Sequence, residues 1–143
     1  MRAVLQRVSR AAVRVSGETV GALDAPGLVA LVGVTHGDTE EQAGTLARRI
    51  ARLRLLEGER SVTEAGAGVL VVSQFTLYGR TRKGRRPSWS DAAPAEVAEP
   101  LVETLTGLLR AEGVEVATGR FGARMEVELV ADGPVTVLLD TAD

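Results

Sequence analysis

The sequence has no cysteine, which excludes disulfides, thiolate metal sites and a cysteine nucleophile. His36 is the only histidine, so a histidine-rich metal centre is excluded as well. Aromatic residues make up 3% of the chain, too few for a broad base-stacking surface. No apolar run approaches the roughly 18 residues needed to cross a bilayer. The opening MRAVLQRVSR carries charges where a signal peptide needs an apolar stretch. The expectation is a cytoplasmic protein with no membrane partner. A G-x-S-x-G elbow, a P-loop and a G-x-G-x-x-G fingerprint are all missing. His36, in a Gly-flanked turn, reads as part of a helix start rather than a general base. Hydroxyls, amides and backbone groups remain. An enzyme built from these relies on positioning and oxyanion stabilisation more than on side-chain proton transfer. No cofactor or metal is expected.

What is present points to one domain over residues 1–143, long enough to bury roughly 68–70% of its unfolded surface. The net charge of −2 argues against a globally basic nucleic-acid binder. A local basic patch is still compatible with it, because association follows the local field.

In chain order, Met1 to Val15 reads as strand, Ser16-Gly17 as a turn and Glu18 to Gly21 as a return strand. Leu28 to Val34 is a continuous apolar run, the pattern of a strand buried on both faces. Asp38 with Glu41 three residues on predicts an N-cap, followed by Ala43, Leu46, Ala47, Ile50 and Leu53 at helical spacing. Glu57 to Gly68 reads as polar loop. Pro94 to Glu112 reads as helix, with Pro100 at the first position of its main part or at a kink. Val114 to Thr118, Met125 to Val130 and Val135 to Leu139 are strands, the last two joined by Ala131 to Pro134. Locally, Asp132-Gly133 is a hairpin signal. The fold class is α+β: twisted, barrel-like β-sheets with two main helices packed on them.

The stretch Val69 to Ala92, VLVVSQFTLYGRTRKGRRPSWSDA, concentrates the chemistry. It begins as a buried strand, and period-2 alternation then places Ser73 with Phe75 on one face and Gln74 with Thr76 on the other. Arg80, Arg82, Lys83, Arg85 and Arg86 follow as a basic loop. A polar strand end feeding such a loop suits binding a polyanion and presenting one end of it to a site. The alternative is a strand with incidental hydroxyls and a solvated charged loop. Trp89, the only tryptophan, is expected to fill core rather than to stack on a base.

Ser73-Gln74-Phe75-Thr76-Leu77, the following TRKGRRPSWSDA, and Asp132-Gly133-Pro134-Val135-Thr136 together resemble the D-aminoacyl-tRNA deacylases. QRVSRAAVRV, GVTHGDTEE and TGRFGARMEVELVADGPVT extend the similarity over nearly the whole chain. The resemblance implies a homodimer that hydrolyses the ester between a D-amino acid, or glycine, and the terminal adenosine of tRNA. It implies catalytic roles for Ser73, Gln74 and Thr76, and substrate contacts from Phe75. It also implies that Gly133-Pro134, joined by a cis bond, enters the partner's pocket and excludes L-amino acids. Within the family the threonine has been proposed as nucleophile; a competing account gives that chemistry to the substrate's own 2′-hydroxyl. The shortage of bases here favours the second. Arg82, Lys83, Arg85 and Arg86 are the expected tRNA contacts. One departure is Ala131, where many members have Asn, and it bears on the rigidity of the Gly-Pro loop. A relative with a trans Gly-Pro bond tolerates small L-residues; overall similarity places this chain with the ordinary type. Two other functions compete: a non-enzymatic RNA-binding module that uses the basic loop, and a generic acyl-ester hydrolase with Thr76 as nucleophile.

Overall fold

In a computed structural model describing residues 1–143, the amino-terminal alternation forms strand β1, Arg2–Val15. β2 (Glu18–Leu23), β3 (Gly27–Gly33), β4 (Gly68–Ser73), β5 (Glu115–Thr118) and β6 (Glu126–Asp140) complete the sheet. The strand order is β2-β1-β3-β4-β5, with β6 on the other edge of β1. β3, β4 and β5 run parallel, while β1 pairs antiparallel with β2, β3 and β6. A Cβ on Gly21 of β2 would lie 2.2 Å from the Thr118 carbonyl oxygen of β5, so the outer strands almost meet. The mixed sheet is thereby nearly closed into a barrel.

The continuous apolar runs of β3 and β4 serve two cores. Leu28, Ala30 and Val32, with Val69 and Val71, face the helices. Val29, Leu70 and Val72 face the barrel interior with Val8, Ala11, Val13 and Leu23. Two main helices, α1 (Glu40–Arg52) and α3 (Ala95–Ala111), cover the outer face through Leu46, Ile50, Leu105 and Leu109. Each of these four is fully buried, contributing about 1.5–3 kcal/mol. β1 joins both cores by changing parity. Ala3 and Leu5 point to the helices and Val8 to the interior, as alternation requires, yet Ala11 and Val13 point inward too. Between Val8↔Ala131 and Arg10↔Val130 the register shifts, two steps on β1 facing one on β6. A one-residue bulge moves every later side chain to the opposite face.

Several boundaries differ from the sequence reading. Helix α1 is capped by Thr39, whose hydroxyl accepts from the Glu41 N–H and which forms a capping box with Gln42. Asp38 is instead drawn into an ion pair with the Met1 ammonium at 2.9 Å and accepts from the Thr35 N–H. The polar segment before β4 contains a short helix, α2 (Val62–Ala65), closed by a Ser61–Glu64 capping box. Pro100 lies inside α3 rather than at its first position. It and Glu96, whose carbonyl loses its intrahelical donor, are on the exposed side, where water can replace the missing bond. The hairpin that Asp132-Gly133 signals locally does not form, and the two strands expected either side of it are one. Residues 126–140 form one strand, because both halves pair along the whole of β1. Between Gln6↔Thr136 and Val8↔Ala131, two steps on β1 face five on β6, so Asp132 to Val135 bulge out of the ladder.

Candidate active site

β4 delivers Ser73 to the carboxyl end of the parallel strands, opposite Val32 of β3. The chain leaves the sheet there. The Gln74 N–H still reaches the Val32 carbonyl at 2.7 Å, but Phe75–Tyr78 form a 3-10 turn. The expected alternation of Ser73 and Phe75 against Gln74 and Thr76 therefore does not occur. Gly33 explains why the turn can fold back: a Cβ there would stand 3.0 Å from the Gln74 carbonyl oxygen and 3.1 Å from the Leu77 Cβ. The side-chain amide of Gln74 donates to the Thr76 hydroxyl. No backbone carbonyl accepts from the N–H of Phe75 or Thr76, the first donors of the turn. Ser73, Gln74 and Phe75 line a cavity of about 240 Å³ whose other walls include Val32, Val34, Ala98 and Phe121. The structure thus brings together hydroxyls, an amide and two open N–H donors at the mouth of an apolar chamber.

No acid–base side chain bonds to Thr76. His36 is exposed, and its Nε2 lies 2.8 Å from the Ser90 carbonyl oxygen, pinning a loop. Burial pushes the Tyr78 hydroxyl far above its ordinary range, with Asp38 and Asp140 adding to the effect, so it stays protonated at neutral pH. Arg2 stacks over the Tyr78 ring at 4.4 Å and bonds Asp140 at 2.7 Å. No three His, Asp or Glu side chains converge to hold a metal ion.

Beside this mouth opens a cationic cleft of about 860 Å³, lined among others by Arg2, Arg80, Arg82, Lys83 and Arg86. Arg80 is committed to Asp91, which it grips through Nε and through Nη2 at 2.7 Å. That hydrogen bond is the main reason the Asp91 carboxyl sits below its usual range. Arg82, Lys83, Arg85 and Arg86 are exposed and enter no ion pair, though Arg85 does not line the cleft. Trp89 departs from expectation: it is 43% exposed and meets Phe75, itself 55% exposed, edge-to-face at 5.6 Å. Gly79 holds it out of the core by letting the indole rest on backbone; a Cβ there would be 2.7 Å from Cζ3.

Gly133 and Pro134 lie elsewhere in the chain, within the exposed bulge of β6, and the bond between them is cis. Neither borders the cavity at Ser73. Their neighbour Asp132 lines a cleft with Pro26 and Gly68, at the opposite end of the parallel strands from Ser73. Ala131 pairs with Val8 at one edge of the bulge, and its methyl group offers no hydrogen bond across it. Arg7 donates to the Asp132 carbonyl at 3.1 Å and to Leu55 at 3.2 Å, and Gln6 donates to the Val135 carbonyl at 3.1 Å. Gly133 has φ +122°, and a Cβ would stand 3.0 Å from Arg7 Nη2 and 2.9 Å from Val135 N. Only glycine suits that position. Gln6 and Arg7 open the QRVSRAAVRV stretch of the resemblance, but nothing in the sequence pointed to their bracing role.

Residues 4–140 match the family described as D-Tyr-tRNA(Tyr) deacylase. This chain belongs to the D-aminoacyl-tRNA deacylase family. A D-aminoacyl-tRNA deacylase of Kineococcus radiotolerans is 61% identical over 140 residues, covering 98% of this chain and 99% of that one. The Beutenbergia cavernae protein of the same name is 65% identical, with the same coverage. Among solved structures, the c-Myc DNA Unwinding Element Binding Protein superposes with a TM-score of 0.91 at 37% identity, covering 99% of each chain. A probable eukaryotic D-amino acid tRNA deacylase shares the fold, with a TM-score of 0.84 at 17% identity over 96% of this chain and 97% of that one. The deacylases of this family are hydrolases of the aminoacyl-tRNA ester bond. No helix is long and apolar enough to cross a membrane.

Proposed function

We propose that this chain hydrolyses the ester joining a D-amino acid, or mischarged glycine, to the 3′-terminal adenosine of tRNA, working as a cytoplasmic homodimer. The observation that carries the reading is the pairing of family membership with a cavity lined by Ser73, Gln74 and Phe75, to which Thr76 is tied through the Gln74 amide. The open N–H groups of Phe75 and Thr76 are suited to receive the carbonyl oxygen as negative charge develops on it. In the reaction water adds to the ester carbon, the carbon–oxygen bond to the ribose breaks, and the ribose oxygen takes up a proton. No base of this chain bonds Thr76, so its hydroxyl is a poor nucleophile, and the substrate's vicinal 2′-hydroxyl is assigned the assisting role. Ser73, Gln74 and Thr76 then orient the ester.

The exclusion of L-amino acids is assigned to Gly133 and Pro134 of a second copy. Within one chain they stand away from the Ser73 cavity, and β6, which bears them, leaves apolar surface open: Leu138 is 77% exposed, and Val127 and Val130 are also uncovered. Arg82, Lys83, Arg85 and Arg86 hold the tRNA backbone. Turnover of a D-aminoacyl-tRNA with its L-aminoacyl counterpart as control tests the function. D-selective deacylation is expected; binding without turnover would favour an RNA-binding module, and equal turnover would remove the chiral filter.

A further inference from the structure

Two of the chain's four aromatic side chains, Phe75 and Trp89, are the ones left open to solvent, and they touch each other. The segment that carries Trp89 is not loose. Arg80 and Ser88 exchange backbone hydrogen bonds at 2.8 and 3.0 Å, and the Ala92 N–H returns to the Trp89 carbonyl at 3.0 Å. Thr35 donates to the Asp91 carbonyl at 2.6 Å, His36 meets the Ser90 carbonyl, and Arg80 clamps Asp91. A large ring fixed from several sides, resting on Gly79 and still exposed, is a preformed surface awaiting a flat partner.

Its neighbourhood says which partner. Phe75 lines the chamber headed by Ser73, and Ser88 and Asp91, either side of Trp89, line the cationic cleft. A ring lying between an ester-binding chamber and a phosphate-attracting loop lies along the path of an unpaired strand whose last residue enters the chamber. Resting on the reading of the site as a tRNA deacylase, we infer that Trp89, buttressed by Phe75, stacks the base of the nucleotide preceding the terminal adenosine. Stacking accepts any base, whereas the adjoining cations hold the phosphates on either side of it.

Trp89 is the only tryptophan, so its emission reports the contact without turnover. Titration with a short single-stranded RNA ending in CCA quenches it, and the same RNA with an abasic penultimate nucleotide does not. In kinetics, Trp89→Ala raises KM for D-aminoacyl-tRNA roughly tenfold, and Trp89→Phe restores most of the loss. Removing the penultimate base raises KM of the unaltered protein by a similar factor, and combining both changes adds no further loss. Equal quenching by both RNAs, or additive losses, would overturn the platform. So would an emission shift on dilution without RNA, which would mean that a second copy covers the ring. Base-dependent quenching without any deacylation would instead count against the deacylase reading alone.

Discussion

Strand β4 is buried along five of its six residues, whereas none of the fifteen residues of β6 is buried. Both carry motifs by which the family is known, and both are rich in Val and Leu. The difference is in what covers them. β4 has β3 and β5 on its edges, helices on one face and the barrel interior on the other. β6 has β1 on one edge, and no strand of this chain pairs with its other edge. An apolar residue in β4 is accounted for by the chain's own stability. Leu138 on β6 is not, and a second copy of the chain is the proposed cover.

The same substitution in the two strands breaks or sharpens that contrast. Leu70→Asp places an unpaired charge in the barrel interior, at a cost of several kcal/mol, and is expected to abolish folding as read by circular dichroism. Leu138→Asp is expected to leave the far-ultraviolet spectrum unchanged and to shift a dimer to monomer in sedimentation. A folded Leu70→Asp protein, or an unfolded Leu138→Asp protein, would mean the two environments have been misassigned. The site at the end of β4 gives the next effect in size. Thr76→Ala is expected to retain measurable deacylation, while a substrate ending in 2′-deoxyadenosine is nearly inert. A covalent acyl group trapped on Thr76 would reverse that assignment.

The contrast also shows what local sequence can carry. The doubly buried β3 and β4 were legible as uninterrupted apolar runs, and α1 from its helical spacing. The Ser73–Thr76 stretch was legible as a polar strand end, though the 3-10 turn depended on Gly33, forty residues earlier, making room. Asp132-Gly133 misled because a turn signal is local, whereas the strand is set by pairing with β1 from the far end of the chain. Trp89 misled for a related reason: composition favours burial, whereas Gly79 beneath the indole and distant partners of its segment, such as Thr35, His36 and the Arg80–Asp91 clamp, keep the ring at the surface. The Ser61–Glu64 spacing was a readable helix start that the surrounding polar residues obscured.

Smaller effects belong to the loop between the two aromatic-bearing segments. Replacing Arg82, Lys83, Arg85 and Arg86 with Ala is expected to weaken tRNA binding and to reduce its salt slope by about 0.7–0.9 per lost phosphate contact. Stability should change by about 0.5 kcal/mol or less per site. An unchanged salt slope would remove the loop from the RNA footprint. The smallest effect is at Arg80. The Asp91 carboxyl is depressed in the folded protein chiefly by the Arg80 hydrogen bond, so the pair's contribution is present above the unfolded carboxylate range. It is lost as pH falls through the lower, folded value. Arg80→Ala is expected to raise the Asp91 titration midpoint in a carboxyl NMR experiment, with a slight effect on stability because the pair is exposed.

The central claim, that each site is built from two copies of the chain, is tested most directly by complementation. Gly133→Val spoils the bulge through its φ of +122° and its contacts with Arg7 and Val135, while leaving the Ser73 cavity intact. Ala95→Trp obstructs the cavity from an exposed position at the start of α3 and leaves the bulge intact. Each variant alone is expected to lose D-selective deacylation. Mixed after dissociation, random pairing gives heterodimers with one intact site apiece, so about a quarter of all sites regain selectivity and the excess of D- over L-turnover returns to about a quarter of that of the unaltered protein. No recovery from properly mixed, folded dimers, or full D-over-L selectivity in Gly133→Val alone, would contradict the account.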